Sequence, residues 1–181
     1  MGKFSVLSTP IEGVRVIEPA VFGDSRGYFM ETYNQKDFAG AGISAEFIQD
    51  NQSKSQKGVL RGLHRQKKHP QAKLVRCLFG EVFDVCVDVR PGSPAYGQWY
   101  GLILSEENCR QLFVPRGLAH GFLVLSDTAV VAYKCDEFYR PEDEAGLLWN
   151  DPAVGIAWPL DGTGRPSLNE RDANWPLIRA I

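Results

Sequence analysis

The most constraining feature of this chain is a series of strand-length segments separated by turn residues. "VLRGLHRQ" (59–66) has the pattern of one strand, and "KLVRCLFGEVFDVCVDVR" (73–90) that of two strands around a turn at Gly80. "QLFVPRGLAHGFLVLSDTAVVAYKCDEFY" (111–139) adds three strands, separated by a Pro-Gly turn and a Ser-Asp turn. Many short strands with turns between them are typical of an antiparallel sandwich or barrel. We therefore predict a mainly β fold.

Strand alternation also predicts which side chains share a face. In the strand after Gly80, one face carries Val82, Asp84, Cys86 and Asp88, and the other carries Phe83, Val85, Val87 and Val89. Helix-like sequence is limited to "NQKDFAGAG" (34–42) and short pieces near the C-terminus. The chain has no repeat and no linker-like break in composition. A single domain over residues 1–181 is expected, with a few short helices.

Composition and charge exclude some classes of partner. The net charge of −2 argues against a bulk electrostatic partner such as duplex nucleic acid, but it leaves room for a local basic pocket. No apolar run approaches the ~18 residues of a membrane span, and the first residues lack the apolar core of a signal peptide. The four cysteines form no C-x-x-C pair and are expected to be free thiols. We expect a cytoplasmic protein without a membrane or nucleic-acid partner.

Two polar residues interrupt the apolar faces of strands. Lys73 shares a face with Val75 and Cys77, and Tyr133 shares one with Val131. A buried ammonium group is costly unless a negative charge or an anionic ligand pairs with it. Lys73 either points into the barrel or extends to solvent from its strand end. Tyr133 is either a core residue with a bonded hydroxyl or a functional phenol.

The histidines leave alternatives open as well. Alternation places His64 on the same side of its strand as Leu60 and Gln66. Its imidazole suits a structural role, a metal site or proton transfer near neutral pH. His120 follows the Pro-Gly turn, where a functional role and a turn-capping role are both plausible. His69, in "KKHPQ", has the pattern of a solvated loop residue.

The spacing of these residues resembles the two metal motifs of cupin barrels, in part. Gly58 is followed by five residues and then His64, as in the first motif, and "PRGLAH" ends at His120, as in the second. Gln66 stands where the first motif has a second histidine, and Lys73 stands where it has a glutamate. A lysine beside a divalent cation is electrostatically unfavourable. The resemblance implies a cupin barrel without a metal, and it disfavours a metal-dependent cupin oxygenase.

Ten further stretches, in order, resemble the dTDP-4-dehydrorhamnose 3,5-epimerase family over essentially the whole chain. They are "DSRGYFME", "IQDNQS", "VLRGLHRQ", "PQAKLVRC", "GEVFDVCVDVR", "SPAYGQW", "PRGLAHGFLVLS", "YKCDEFY", "WNDPAVGIAWP" and "LNERD". The resemblance implies a cupin-type antiparallel jelly-roll barrel that uses neither metal nor cofactor. It also implies a homodimer in which the N-terminal ~50 residues contribute to dimer contacts and to the partner's nucleotide site, and a C-terminal segment packed on the barrel.

The same resemblance implies four catalytic residues. His64 is the base that removes a proton beside the C4 ketone of a nucleotide sugar, and Asp172 orients its ring. Lys73 holds the developing C4 oxyanion, where a fixed cation stabilises the transition state more than the neutral ketone. Tyr133 is the acid on the opposite face. Asn169 replaces the serine that is usual in the family, which affects only the local turn beside Asp172.

Nine substrate-binding residues are implied by the resemblance. Arg61 and Arg171 map to the diphosphate side, where arginine suits bidentate contacts. Arg26, Phe29 and Glu31 map to a thymidine site contributed across the dimer. The remaining positions contact the nucleotide, the sugar or a less defined part of the substrate, and they are Gln49, Asn51, His120 and Glu144.

The activity implied is epimerisation at C3 and C5 of dTDP-4-dehydro-6-deoxy-glucose, through enolate intermediates, in dTDP-rhamnose biosynthesis. Two alternatives stay within this chemistry, namely a C3-only epimerase and a 3,4-ketoisomerase. Tyr133 favours the double epimerase, because relatives that act only at C3 differ around this position. A third alternative is a cupin that binds a nucleotide sugar without catalysis.

Overall fold

The structure, a computed structural model, describes residues 3–160 and 165–181. The strands are β1 Phe4–Ser8, β2 Arg15–Pro19, β3 Val21–Asp24, β4 Gly27–Met30, β5 Gln49–Gln56, β6 Leu60–Gln66, β7 Lys73–Phe79, β8 Glu81–Asp88, β9 Trp99–Ser105, β10 Gln111–Val114, β11 Leu118–Val124, β12 Thr128–Cys135 and β13 Glu144–Gly146. The helical elements are α1 Gln35–Gly40 and 3₁₀ turns at Pro141–Asp143, Asp172–Asn174 and Ile178–Ala180. The prediction of a mainly β fold with few short helices is confirmed.

Two sheets face each other and form a jelly-roll barrel. The first sheet has the strand order β1-β2-β10-β7-β12-β5, and the second has the order β13-β6-β11-β8-β9. Neighbouring strands in both sheets pair antiparallel. Side chains from the two inner faces, among them Val75, Val82, Leu104 and Val131, pack into the main core. The cavity described below lies beside this core.

The turn at Gly80 carries the chain from one sheet to the other. β7 belongs to the first sheet and β8 to the second, so these consecutive strands do not form a hairpin. Gly80 has a φ of 73°, and a Cβ atom there would lie 2.2 Å from the carbonyl oxygen of Thr128. Glycine adopts this left-handed conformation without a Cβ clash. The turn therefore sets the inner faces of β7 and β8 against each other.

Strand β8 is buried on both faces, which explains why apolar residues occur on both faces of its sequence. Val82 and Cys86 face the main core between the sheets. Val85 and Val87 face a second cluster, which includes Ile178 and other residues after the last strand. The predicted division of the strand into two faces is confirmed. Residues after Gly146 cover much of the outer face of the second sheet.

The pairing of β6 with β11 contains a register shift that changes the predicted faces. His120 lies opposite His64, but Phe122 lies opposite Arg61, so three residues of β6 span two of β11. Directly opposed residues in an antiparallel pair point to the same side. Arg61 and His64 therefore both face the barrel interior, although they are three positions apart. The prediction that His64 shares a side with Leu60 is wrong, because strict alternation fails where the strand bulges.

Glycines allow the close approach of the strands at this shift. A Cβ atom on Gly62 would lie 2.6 Å from the Cα atom of Gly121, and one on Gly121 would lie 2.6 Å from the carbonyl oxygen of Arg61. No real Cβ atom fits at such distances without displacement of a backbone. The two glycines thus bring the backbones together beside the inward-facing side chains.

The N-terminal part contains one capped helix and one exposed hairpin. Asn34 accepts hydrogen bonds from the N–H groups of Lys36 and Asp37, and Phe38 anchors α1 in the core. The hairpin of β3 and β4 carries three aromatic side chains with large exposed fractions, Phe22 at 62%, Tyr28 at 61% and Phe29 at 70%. No helix within the described ranges has the length and apolar character needed to cross a membrane.

The cysteines are free thiols, as predicted. Cys77, Cys86 and Cys135 are buried, and Cys109 is partly exposed. Burial raises the pKa of the Cys77 and Cys135 thiols to about 11. These side chains are therefore protonated at neutral pH and behave as small apolar residues.

Candidate active site

A cavity of about 330 Å³ opens between the two sheets. Nine of the predicted site residues line it: Gln49, Asn51, Arg61, His64, Lys73, His120, Tyr133, Glu144 and Arg171. Sequence reasoning missed five other lining residues: Ser53, Gln71, Gly121, Phe122 and Tyr139. The first sheet supplies Lys73 and Tyr133, and the second supplies His64 and His120. Groups that are far apart in sequence thus converge on one space.

His64 is hydrogen-bonded to Asp172, the contact that the family resemblance implies. The His64 Nε2 atom lies 2.7 Å from Asp172 Oδ1, and the two residues are 108 positions apart. The side chain of His64 is 26% exposed, while that of Asp172 is 1% exposed. The ring of Trp175 contacts the imidazole edge-on, with 6.1 Å between ring centroids. With Nε2–H donated to the carboxylate, Nδ1 is the ring atom left with a lone pair.

The carboxylate of Asp172 is held by further hydrogen bonds. The N–H of Gly62 donates to Oδ2 at 3.2 Å, and Asn169 Oδ1 accepts the backbone N–H of Asp172 at 2.7 Å. Asn169 therefore does for this turn what a serine side chain would do. Burial alone would raise the pKa of Asp172, but the hydrogen bond and charge of His64, together with Gly62, lower it below the usual aspartate value. The carboxylate is thus ionised and able to fix the ring of His64.

Lys73 points into the barrel rather than to solvent. Its Nζ atom lies 5.7 Å from the ring centroid of Tyr133, which is a favourable cation–π distance. Burial lowers the pKa of Lys73, and the negative charges of Asp84 and Glu144 act in the opposite direction. No carboxylate within residues 3–160 and 165–181 forms a salt bridge with Lys73. The ammonium group is therefore available to an anionic or polarised ligand atom.

Tyr133 projects into the cavity from β12, on the sheet opposite His64. It packs against the edge of the main core, and its strand neighbours are Val75 of β7 and Asn51 of β5. Burial raises the pKa of Tyr133. The phenol is therefore protonated at neutral pH, as a proton donor must be.

Sequence reasoning did not anticipate that His120 would have an aspartate partner. His120 Nε2 lies 2.9 Å and 3.0 Å from the two carboxylate oxygens of Asp84. The side chains of His120 and Asp84 are 6% and 0% exposed. Strand alternation put Asp84 on the correct face of β8, but no sequence pattern indicates that this face is directed toward His120. The available signal was an aspartate that shares a strand face with the apolar residues Val82 and Cys86.

A polar cluster borders the cavity beside the catalytic candidates. Arg171 forms a salt bridge with Glu144, and the hydroxyl of Tyr139 donates to Glu144 Oε2 at 3.0 Å. The backbone N–H of Tyr139 donates to Gln49 Oε1 at 2.9 Å, and Gln49 Nε2 donates to Asn51 Oδ1 at 3.1 Å. These bonds join β13, β5 and the C-terminal segment around one side of the cavity.

Arg61 and Ser53 present polar atoms on another part of the cavity wall. Arg61 Nε donates to Ser55 Oγ at 2.9 Å. Arg61 also lines the cavity, and within the described chain it has no carboxylate partner. The hydroxyl of Ser53 is buried and has no hydrogen-bond partner there. A ligand with acceptor oxygens could bind these groups.

Three predicted binding residues lie outside the cavity of their own chain. Arg26, at the exposed turn of the hairpin, is bound to Asp24, and Phe29 is largely exposed. Glu31 is hydrogen-bonded to Lys3 and to Asn34. None of the three lines the cavity.

Gln66, at the position of a cupin metal ligand, is used elsewhere. Its side-chain amide donates to the carbonyl oxygens of His69 and Phe138 and accepts from the N–H of Arg140. In the part of the chain that the structure describes, no three His, Cys, Asp or Glu side chains converge as they would around a metal ion. Gln66 therefore joins the loop of His69 to the segment of Phe138 and Arg140 by hydrogen bonds.

Comparison with known proteins gives a consistent result. Residues 8–180 match the family model described as dTDP-4-dehydrorhamnose 3,5-epimerase. The dTDP-4-dehydrorhamnose 3,5-epimerase of Methanothermobacter thermautotrophicus is 50% identical over 179 residues, which are 99% of this chain and 97% of that protein.

Solved structures agree with the fold. The dTDP-6-deoxy-D-glucose-3,5-epimerase of Legionella pneumophila, crystallised with dTDP-4-keto-L-rhamnose, has a TM-score of 0.95 at 49% identity, covering 98% of this chain and 94% of that chain. The 3'-monoepimerase ChmJ of Streptomyces bikiniensis, crystallised with dTDP-quinovose, has a TM-score of 0.87 at 36% identity, covering 94% and 86%. The fold is thus shared by enzymes of this type that differ in the number of positions inverted.

Proposed function

This chain belongs to the dTDP-4-dehydrorhamnose 3,5-epimerase family, and we propose that it inverts C3 and C5 of dTDP-4-dehydro-6-deoxy-glucose in dTDP-rhamnose biosynthesis. One observation carries this proposal: a supported histidine and a buried phenol face one cavity from opposite sheets, with an ammonium group beside the phenol. Inversion at carbon requires that a proton leave from one face of the sugar and return to the other. A base and an acid on opposite walls satisfy this requirement.

In the first half of each inversion, His64 acts as the base. The C4 ketone acidifies the hydrogens on C3 and C5. The Nδ1 lone pair of His64 takes one of these protons, and the Nε2–H bond to Asp172 stabilises the imidazolium that forms. The electron pair left on carbon moves to the C4 oxygen, giving an enolate.

Lys73 and Tyr133 complete the inversion. The Lys73 ammonium group stabilises the negative charge on the C4 oxygen, where a preorganised cation is most effective. Tyr133 then donates its phenolic proton to carbon from the opposite face, and the ketone re-forms. Tyr133 recovers a proton and His64 loses one by exchange with solvent, so that the enzyme returns to its starting state.

The cavity wall offers groups for the rest of the substrate. Arg61 and Arg171 supply guanidinium groups for the diphosphate. Gln49, Asn51 and Glu144 supply hydrogen-bonding atoms beside them. Arg171 must exchange part of its contact with Glu144 for the diphosphate, because both anions compete for the same cation.

The functional unit proposed here is a homodimer with shared sites. Phe22, Tyr28 and Phe29 present a hydrophobic surface on a hairpin that is too exposed to be stable alone in water. Arg26 and Phe29 cannot serve the cavity of their own chain from this position. In the dimer, the hairpin of one subunit covers the thymidine end of the partner's cavity, with Phe29 stacked on the base. Glu31 accepts the thymine N3–H there. The buried free thiols support a reducing, cytoplasmic setting.

Mixing inactive subunits tests the shared site. One subunit carries His64→Asn and the other carries Phe29→Ala with Arg26→Ala. Each homodimer should be inactive, while mixed dimers should regain activity, because one site then combines an intact His64 with an intact hairpin. No recovery after confirmed subunit exchange would show that each chain builds its own site.

Solvent exchange tests the reaction itself. The protein is incubated in D₂O with dTDP-4-dehydro-6-deoxy-glucose, and deuterium at C3 and C5 is followed by NMR and mass spectrometry. Deuterium at both positions is the expected result. Deuterium at C3 alone would instead establish a C3-only epimerase. The structural similarity to the 3'-monoepimerase ChmJ is the reason to test this candidate. Binding without exchange would leave only a nucleotide-sugar-binding function.

A further inference from the structure

Each of the three histidines in this chain lies beside an aspartate. The pairs are His64–Asp172, His69–Asp143 and His120–Asp84. The first is explained by the proposed reaction, and the second lies on a loop where the side chain of His69 is 42% exposed. The third borders the cavity and is almost completely buried, yet the mechanism above assigns Asp84 no role.

Asp84 is an unusual residue for its position. It lies on the inner face of β8 between Val82 and Cys86, and both of these are buried in the main core. Both carboxylate oxygens contact the same atom, His120 Nε2, and no other donor in the described ranges bonds to them. A buried carboxylate without a compensating donor or cation is strongly unfavourable. The hydrogen bond with His120 is therefore the contact that compensates for burial of the Asp84 carboxylate.

The contact with Asp84 determines whether Nε2 of His120 carries a hydrogen. An ionised carboxylate can only accept hydrogen bonds, so Nε2 of His120 must carry a hydrogen. The other ring nitrogen, Nδ1, has no hydrogen-bond partner in the described part of the chain, although His120 lines the cavity. The ring is thus held from behind by Asp84, while Nδ1 is left for a group inside the cavity.

We propose that Asp84 is a positioning residue that holds the ring of His120 in one orientation. In this orientation Nε2–H is directed at the Asp84 carboxylate, and Nδ1 is available to a polar group on the sugar ring. This role rests on the proposed function only for the identity of the bound sugar. Asp84 acts through His120 and does not touch the substrate. Burial lowers the pKa of Lys73, and the negative charge of Asp84 acts in the opposite direction. One buried carboxylate therefore influences two groups of the cavity.

Nitrogen NMR of the imidazoles tests the ring state without any substrate. With only three histidines, the ¹⁵N spectrum of the full-length protein can be assigned with His64→Asn and His120→Asn variants. The wild-type protein should show His120 with a protonated, slowly exchanging Nε2. A His120 ring protonated only on Nδ1 would overturn the proposal. This measurement needs no Asp84 variant, so it decides the ring state even if such a variant does not fold.

The Asp84→Asn variant then tests the cause. An amide can donate as well as accept, so the His120 nitrogens should shift toward an average of both tautomers, with faster Nε2–H exchange. Asp143→Asn is the matched control and should change only the signals of His69. If Asp84→Asn leaves the His120 nitrogens unchanged, Asp84 does not set the ring state and the proposal fails.

A kinetic cycle tests whether the ring state matters for turnover. Asp84→Asn should lower kcat/KM about 10- to 100-fold, the range for a hydrogen bond to a charged group. The same substitution in a His120→Asn background should have an effect of less than about threefold, because the pair acts as a unit. Equal losses in both backgrounds would overturn a role through His120. Absence of turnover in the wild-type protein would contradict the proposed function instead, and the NMR result would still stand.

Discussion

Two histidine–aspartate pairs border the same cavity and differ in how they are built. His64 is partly exposed and receives Asp172 from a C-terminal 3₁₀ turn 108 residues away. His120 and Asp84 lie on the adjacent strands β11 and β8 and are nearly inaccessible. In the first pair a partly exposed ring is bound to a buried carboxylate, whereas in the second pair both the ring and the carboxylate are buried.

The difference shows that contact between histidine and aspartate does not by itself define a general base. A base must reach the substrate and then exchange its proton with solvent, which requires access to water. His64 has this access, and His120 is suited to holding one orientation. The pair His69–Asp143 has solvent access but does not line the cavity. Access and location together separate the three pairs, and this comparison leads to five predictions.

The largest effect should follow from removal of the exposed imidazole. His64→Asn should lower kcat by about 10⁴-fold, the upper range for general acid–base catalysis. His120→Asn should lower kcat/KM by about 10- to 100-fold, because it removes a binding contact rather than the base. Steady-state kinetics with deuterium incorporation measures both. Equal losses of kcat would remove the distinction between the pairs.

Removal of the orienting carboxylate should have the next largest effect. Asp172→Asn should lower kcat by about 10³-fold, because the His64 ring loses its defined tautomer and the stabilisation of its charged form. Asn169→Ser is the matched control, since serine can also accept the N–H of Asp172. That variant should keep nearly full activity. A large loss in the control would mean that the turn, rather than the carboxylate, is the sensitive feature.

Stability should rank the two pairs in the opposite order. His120→Leu leaves the Asp84 carboxylate buried without a partner and should cost about 3–5 kcal/mol in the free energy of unfolding. His64→Leu should cost less, about 1–2 kcal/mol, because the His64 ring is partly exposed and the Asp172 carboxylate keeps the hydrogen bond from the N–H of Gly62. Urea unfolding followed by fluorescence measures both values. Similar costs would show that burial does not distinguish the pairs.

The Asp172 pair should also have a signature in the pH dependence of stability. Burial alone would raise the pKa of the Asp172 carboxyl group in the folded protein. Hydrogen bonds from His64 and Gly62 outweigh this effect and lower the pKa. A lowered pKa contributes stability above the unfolded value, which is lost as the pH falls through the folded value. Relative to Asp172→Asn, the wild-type protein should be about 1 kcal/mol more stable at neutral pH. The difference should shrink below about pH 4. A constant difference down to acid unfolding would contradict this.

The smallest effect on turnover should come from the pair outside the cavity. Asp143→Asn removes a charge that is bound by the backbone N–H groups of Lys68 and His69. It should change kcat/KM by less than about twofold, as expected for a site away from the reaction. A larger loss in steady-state assays would place the loop of His69 in the catalytic machinery.

Much of this architecture could be predicted from the sequence, because strand alternation and turn residues are local signals. The strands around Gly80 and the two faces of β8 follow directly from such patterns. The direction of the His64 side chain could not be predicted in this way, because the register shift in β6 breaks the alternation on which the prediction rested. Glycine at positions 62 and 121 permits that shift, but a glycine in a strand does not by itself reveal which neighbour will approach.

The site shows the same limit. Strand alternation put Lys73 and Tyr133 on apolar faces but left open whether either side chain enters the cavity, and the family resemblance assigned both to the site. The pairing of Asp84 with His120 depends on the order of strands in the second sheet, which the sequence pattern does not contain. In the dimer proposed above, the partners of Arg26 and Phe29 lie on another molecule, and a pattern within one chain does not identify such contacts. Sequence reasoning was therefore strongest for elements and weakest for contacts between them.

The distance along the chain between His64 and Asp172 has a consequence for protein synthesis. All strands of both sheets end by Gly146, whereas Asp172 and Trp175 leave the ribosome only afterwards. A nascent chain that stops before Asp172 contains the described strands of both sheets but lacks the aspartate that bonds to His64. Because domains fold as translation proceeds, both sheets can assemble before Asp172 reaches His64. A translation product interrupted before Asp172 should therefore have at most the low activity expected of Asp172→Asn.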